Sequence, residues 1–115
     1  MPKSDAVRLR HMLDAAREAR GFVQDRTRAD LDRDRLLNLA LVRLLEIIGE
    51  AARQVSPETH KRHPEVRWLD IADMRNRLAH GYADINLDIV WDVLSQEVPP
   101  LISQLERILA GGKRD

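Results

Sequence analysis

The chain has 115 residues, no cysteine, and 19 basic against 19 acidic residues, so its formal net charge is zero. The length predicts one domain, residues 1–115, and the missing cysteines exclude disulfides, thiolate metal sites and cysteine nucleophiles. The balanced charge is unlike that of a general polyanion binder, so we expect no DNA partner. No apolar run has the length of a membrane span and the first residues lack a signal-peptide pattern. We therefore expect a cytoplasmic protein with no membrane partner.

Apolar residues recur with helical spacing from the N-terminus onward, and no alternating pattern predicts a strand. The first helix is predicted to begin near Ser4, a good N-cap, with Asp5 in its first turn. Gly21 marks its end or a weak point. The spacing directs the following residues towards a core: Val7, Met12, Ala15, Ala16, Ala19 and Phe22.

The second predicted helix runs from about Asp30 to Val55 and is the hydrophobic centre of the chain. Its apolar residues surround most of its circumference, which is typical of a helix buried on several sides. One side can face the domain core and the other can face a second copy, so we expect a homodimer. The alternative is a central helix buried wholly within one chain. Gly49 predicts a close backbone approach to a neighbouring helix.

Proline and small polar residues mark the predicted helix boundaries in the second half of the chain. Ser56 and Pro57 predict the start of a short helix that ends near Arg62. A further helix is predicted from about Trp68 or Asp70 to Ala79 or His80, where Gly81 can supply a left-handed C-cap.

Asn86 is predicted to cap a long last helix, which Pro99 and Pro100 must kink or break before it ends near Gly111. The fold class is therefore all-α, an antiparallel bundle of four or five helices.

The segment from Met74 to Tyr82 concentrates residues that can carry chemistry. Arg75 offers a planar fork of donors that suits a phosphate, and His80 can accept or donate a proton near neutral pH. Together they could cleave RNA without a metal, with Asn76 orienting His80 or the phosphate. The simpler alternative is that the arginine and histidine only complement a helix C-terminus.

Helix geometry restricts how this pair can act. Arg75 and His80 are five positions apart, so their directions on a regular helix differ by roughly 140°. Either the helix ends between them, or two copies of the segment meet across a dimer and form a shared cleft.

Arg75, His80 and Tyr82 match the Arg-x4-His-x-Tyr signature, so the chain resembles the HepT toxins of the HEPN superfamily. The resemblance extends to the segment 47–52 around Gly49-Glu50, to Trp68 shortly before the signature, and to the segment 88–91 that opens the last helix.

The resemblance implies a helical homodimer with the signature residues in a cleft between subunits. It implies an endoribonuclease toxin of a type VII toxin–antitoxin system that needs neither metal nor cofactor and leaves a 2′,3′-cyclic phosphate on the RNA. Arg75, His80 and Asn76 take the catalytic places. The implied partner is a nucleotidyltransferase antitoxin of the MNT type, which transfers AMP to Tyr82. The added AMP would place bulk and negative charge where an RNA phosphate must dock.

Several other residues have simpler interpretations. His60 and His63 are read as surface residues rather than as a metal site, and Trp68 and Trp91 as core residues. Glu46 and Glu50 are expected to form salt bridges with Arg43 and Arg53, although Glu50 could also brace Arg75. A positive rim for RNA is a further hypothesis, and its candidates are Arg53, Lys61, Arg62, Arg67 and Arg77.

Two other functions remain open at this point. The chain could be a non-catalytic HEPN dimer that serves as a binding or accessory subunit of a nucleotidyltransferase, because fold alone does not determine activity. It could also be a purely structural helical dimer, but that function leaves the polar cluster around Arg75 unexplained.

Overall fold

A computed structural model describes residues 1–79, 81 and 84–112, and helices dominate these ranges. The all-α prediction is confirmed there, with eight α-helical segments and one π-helical turn where four or five helices were expected. The segments are α1 (Lys3–Val23), α2 (Arg28–Arg33), α3 (Arg35–Gln54), α4 (Pro57–Arg62), α5 (Trp68–Ala72), α6 (Met74–Leu78), α7 (Leu87–Asp92), the π turn (Val93–Glu97) and α8 (Val98–Gly112). None of the helices in these ranges is long and apolar enough to cross a membrane.

Helix α1 packs against α3 and α8 and buries one face. Met12, Ala15, Ala16 and Ala19 are buried as predicted, but the core also takes Leu9, Leu13 and Val23. The prediction was wrong for Val7 and Phe22, which are 48% and 43% exposed. Each residue turns the helix by about 100°, which directs both side chains away from the face centred on Leu9 and Leu13.

The boundaries of α1 also differ from the prediction. The helix begins at Lys3 after Pro2, one residue before Ser4, and it continues past Gly21 to Val23. Asp5 is in the first turn, as expected, but its side chain is buried and binds the start of α4.

The predicted second helix is divided at Asp34. Its carboxylate accepts a hydrogen bond from the backbone N–H of Leu37 at 3.0 Å, so a new N-cap starts α3. The Asn38 side chain then donates to the carbonyl of Leu31 and holds α2 against α3. One face of α3 is fully buried, whereas Leu36 and Leu39 are 81% and 48% exposed.

Helix α4 confirms the predicted start signal, because the Ser56 hydroxyl accepts from the backbone N–H of Thr59 and Pro57 is the first helical residue. The helix predicted from Trp68 onward is divided at Asp73 into α5 and α6. Helix α6 ends at Leu78 with Ala79 as an extended C-cap. The predicted left-handed cap at Gly81 is therefore not what ends the helix.

Asn86 caps the last helical stretch as predicted, because its side-chain oxygen accepts from the backbone N–H groups of Asp88 and Ile89. The interruption caused by Pro99 and Pro100 takes the form of the π turn, after which both prolines occupy the first turn of α8. Prolines are tolerated in a first turn because its N–H groups have no intrahelical partner.

Candidate functional site

A groove of about 470 Å³ opens beside the segment that the sequence singles out. We call it the α3–α6 groove. Its lining residues are Glu46, Arg53, Asp73, Arg75, Asn76, Ala79, Gly81 and Ile85. Two of the three predicted catalytic residues, Arg75 and Asn76, therefore share one concave surface.

Helix α6 reaches this position because α3 has no side chain where the two meet. A β-carbon at Gly49 would lie 2.8 Å from the carbonyl oxygen of Ile71 and 3.0 Å from the β-carbon of Met74. The close approach predicted for Gly49 is thus confirmed, and it sets the position of the residue that precedes Arg75.

Backbone hydrogen bonds join the end of α6 to the residues just before α7. Ala79 and Ile85 form an isolated antiparallel bridge, and the N–H of Asn86 donates to the carbonyl of Leu78 at 2.8 Å. The end of α6 and the start of α7 therefore lie side by side.

Arg75 is accessible and only weakly engaged. Its side chain is 71% exposed, and its Nε lies 3.9 Å from a carboxylate oxygen of Glu46. Asn76 is exposed and donates to Asp73 at 2.7 Å, which orients its amide at the start of α6. An exposed guanidinium beside an oriented amide can bind a phosphate oxygen.

The two remaining signature residues, His80 and Tyr82, lie outside the described residues, and their roles stay predictions. Helix α6 does end at Leu78, between Arg75 and His80 in sequence. The first of the two alternatives derived from their spacing, that the helix ends between Arg75 and His80, therefore holds.

The structure pairs Arg75 with Glu46, whereas Glu50 pairs with Arg53 at 3.7 Å. The predicted salt bridges from Arg43 to Glu46 and from Arg53 to Glu50 are both present. Among the described residues, the carboxylate placed to brace Arg75 is therefore Glu46 rather than Glu50.

Sequence reasoning did not place Glu46 in the site, and it named Arg53 only as one of five candidates for a positive rim. Their spacing held a signal, because residues seven apart lie two turns along the same helix face. Which face of α3 would meet α6 could not be read from that spacing.

Arg67 and Arg77 lie away from the α3–α6 groove lining. Arg67 contacts Asp70 at 2.6 Å, and Arg77 donates to Glu97 of the π turn and to the carbonyl of Asp70. The Glu97 carboxylate that accepts this hydrogen bond raises the pKa of Arg77 above its usual value. Arg77 thus connects α6 to the π turn.

The histidines set aside earlier have structural contacts. The ring of His60 stacks on Trp68 with centroids 4.4 Å apart, and its Nε2 lies 3.0 Å from the carbonyl oxygen of Ala52. It is half-buried, so reading it as a surface residue was wrong, whereas Trp68 is a core residue as predicted. The described part of the chain contains no cluster of three or more residues that could hold a metal ion.

Comparison with known proteins identifies the family. Residues 12–108 match the family model described as ribonuclease HepT-like. A protein of Caldanaerobacter subterraneus subsp. tengcongensis named "Putative RNase" is 41% identical over 80 residues, covering 70% of this chain and 71% of its own. A "Putative RNase" of Methanocaldococcus jannaschii is 33% identical over 110 residues, covering 95% and 91%. The "Probable ribonuclease HepT" of Thermococcus cleftensis is 32% identical over 75 residues, covering 65% and 68%. No solved structure matches this chain.

Proposed function

This chain belongs to the HepT-like ribonuclease family, and from that premise we propose that it is an endoribonuclease that cleaves RNA without a metal ion. The observation that carries the proposal is the exposed guanidinium of Arg75, which shares the α3–α6 groove with the Asn76 amide on the helix that ends shortly before His80 in sequence. A cleft with phosphate-binding donors, close in sequence to a histidine that can transfer a proton, suits phosphodiester cleavage.

In the proposed reaction the ribose 2′-hydroxyl attacks the adjacent phosphorus, and the bond from phosphorus to the 5′-oxygen breaks. His80 accepts the proton of the 2′-hydroxyl or protonates the departing 5′-oxygen. Arg75 holds the phosphate as negative charge builds on its oxygens, with Asn76 beside it. The products are a 2′,3′-cyclic phosphate and a free 5′-hydroxyl. Each of these contributions is worth roughly 100-fold or more in rate.

We further propose that the active form is a homodimer whose interface borders the groove. Leu36 and Leu39 are exposed on the same face of α3 as Glu46, at helical spacings of three and seven residues. Leucines at 81% and 48% exposure favour a partner surface there. A second copy on this face would bring its own Arg75 close to the first.

The proposed regulator is a nucleotidyltransferase antitoxin of the MNT type that transfers AMP from ATP to Tyr82, as in a type VII toxin–antitoxin system. The transferred phosphate would carry negative charge into the neighbourhood of Arg75 and could occupy it in place of RNA. Transfer joins the tyrosine oxygen to the α-phosphorus of ATP and releases pyrophosphate.

The decisive experiment is RNA cleavage by the purified protein in the presence of EDTA. We expect the wild type to cut RNA, and His80→Ala and Arg75→Ala to lower the rate by at least about 100-fold each. Arg107→Ala, a change to an exposed arginine on α8, is the matched control and should leave the rate unchanged. Full activity in His80→Ala would remove the assignment of catalysis to this site, whereas a wild type that leaves RNA intact would favour the accessory-subunit alternative.

The regulatory part has its own experiment. Co-incubation with the nucleotidyltransferase and ATP should increase the mass of the chain by one or more AMP units and stop RNA cleavage. Tyr82→Phe should gain no mass and remain active. If Tyr82→Phe is modified as efficiently as the wild type, the acceptor site lies elsewhere.

A further inference from the structure

We propose that Arg53 is a second phosphate-binding residue of the α3–α6 groove, contacting a neighbouring phosphate of the same RNA strand while Arg75 holds the scissile one. This inference rests on the proposed ribonuclease function and adds to it a residue from α3, the opposite wall of the groove. Both guanidinium groups line the groove, one from each helix.

The structure separates Arg53 from the other basic residues that the sequence suggested as an RNA rim. Arg62, Arg67 and Arg77 are not among the groove-lining residues, and Asp70 and Glu97 also hold Arg67 and Arg77 elsewhere. Lys61 lines a different concavity, beside Trp68. Among these candidates, Arg53 is the one that the groove lining includes together with Arg75.

Arg53 is also held in position before any RNA binds. Its Nη2 donates to the carbonyl of Ala72 at 3.1 Å, at the junction between α5 and α6. Its Nη1 lies 3.7 Å from Glu50, and the side chain remains 59% exposed. Holding an arginine in one conformation costs rotamer entropy, and the contact with Ala72 already meets part of this cost in the free protein.

The charge of the groove is a further reason to expect that Arg53 contacts a phosphate. The described groove lining contains two carboxylates, Glu46 and Asp73, and two guanidinium groups, Arg53 and Arg75, for a formal sum of zero. Without Arg53 the sum is −1, and the groove would repel a phosphate backbone. The charge of Arg53 therefore offsets one of the two carboxylates and favours a phosphate in this groove.

The test is the salt dependence of RNA binding, because each phosphate contact on a single strand contributes about 0.7 to the slope of log affinity against log salt. The probe is a single-stranded RNA 20-mer of mixed sequence with 2′-O-methyl groups throughout, which lacks the attacking hydroxyl and cannot be cut. Binding is measured by fluorescence anisotropy between 50 and 200 mM salt.

We expect Arg53→Gln to lower the steepness of this slope by about 0.7. Over that fourfold range of salt, the variant should therefore lose about 2.6-fold less affinity than the wild type loses. Arg53→Lys keeps the charge and should keep the slope. Arg62→Gln is the matched control, because Arg62 is 58% exposed and also pairs with a glutamate on its own helix. Its slope should equal that of the wild type.

Arg53→Ala repeats the loss of charge without a donor to Ala72, so agreement with Arg53→Gln assigns the slope to charge. An unchanged slope in both neutral variants, or an equal fall in Arg62→Gln, would overturn the proposal. Failure of the ribonuclease function is separately visible, because the wild type would then leave RNA intact in EDTA. Cleavage with an unchanged Arg53→Gln slope would remove only the role of Arg53.

Discussion

Gly49 of α3 passes so close to Ile71 of α5 that a β-carbon on the glycine would lie 2.8 Å from the isoleucine carbonyl oxygen. That oxygen belongs to backbone, which cannot rotate aside as a side chain would. Any residue larger than glycine must therefore push α5 and α6 outward, and Arg75 and Asn76 would move with them.

We expect Gly49→Ala to lower the free energy of unfolding by about 1–2 kcal/mol, because overpacking outweighs the better helix propensity of alanine. Gly21→Ala is the control, since nothing lies within 4 Å of a β-carbon there. It should instead stabilise by about 0.5–1 kcal/mol. Urea unfolding measures both changes, and equal stabilisation by the two variants would contradict the close contact.

The buried carboxylate of Asp5 leads us to expect a loss of unfolding free energy in acid. This carboxylate accepts hydrogen bonds from the Ser56 hydroxyl and the Thr59 hydroxyl, each at 2.6 Å, and from the Ser56 N–H at 3.0 Å. Burial alone would raise the pKa of Asp5, but these hydrogen bonds prevail and hold its pKa below the ordinary value of 3.8. Because the pKa of Asp5 is lower in the folded than in the unfolded state, its ionised form stabilises the fold. This stabilisation is complete at pH values above the unfolded-state pKa and is lost as the pH falls through the folded-state pKa.

We therefore expect the wild type to lose part of its unfolding free energy as pH falls below about 3.8. Asp5→Asn should remove that part of the pH dependence and cost about 2 kcal/mol at neutral pH, because hydrogen bonds to a charged group are lost. Asp14→Asn, an exposed change on the same helix, is the control. Parallel pH profiles for the wild type and Asp5→Asn would show that Asp5 does not contribute.

The predictions that succeeded depend on local chemistry. Ser56 and Asn86 start helices because their side chains accept hydrogen bonds from backbone N–H groups within three residues, and Pro57 fits the first helical position because it has no N–H that needs a partner. The close approach at Gly49 was also readable, because this glycine lies in the middle of the most apolar helix, where a missing side chain leaves room for a neighbour.

The predictions that failed depend on tertiary packing. The interruptions at Asp34 and Asp73 occur where short helices turn to reach separate neighbours, and no apolar spacing marks them. Glu46 joined the site, and Arg53 was separated from the other rim candidates, only because α6 packs against that face of α3. The signature identified Arg75 and Asn76 because their chemistry is unusual, whereas the acidic and basic residues of α3 resemble any solvated helix face.

The proposed dimer predicts different consequences for two equally exposed leucines. Leu36 is 81% exposed on the face of α3 that continues into the groove, and Leu69 is 86% exposed on α5, beside Trp68. We expect Leu36→Glu to weaken self-association at least tenfold and to lower RNA cleavage in parallel, because a buried charge at an interface is strongly unfavourable.

Leu69→Glu should leave both properties unchanged. Sedimentation velocity over a range of protein concentrations measures self-association, and circular dichroism checks that both variants fold. If Leu36→Glu associates like the wild type, or if the wild type is monomeric and cleaves RNA, the interface is misplaced.

Arg20 donates a hydrogen bond to a backbone carbonyl, that of Leu94, which has no N–H partner because of a proline in the last helix. The N–H of Val98 donates to the carbonyl of Val93, five residues back, and the next residue in that register is Pro99, which has no N–H. The carbonyl of Leu94 accepts instead from Arg20 of α1 at 3.0 Å, where the arginine is part-buried.

We expect Arg20→Met to cost about 1–3 kcal/mol of unfolding free energy, because a buried carbonyl oxygen loses its charged donor while the apolar contacts of the stem remain. Arg17→Met is the control on the same helix. Arg17 pairs with Glu106 at 2.7 Å, but both side chains are about half exposed, so its loss should cost no more than about 1 kcal/mol. Equal losses in the two variants would mean that the Leu94 carbonyl finds water in place of Arg20, and that the π turn does not depend on α1.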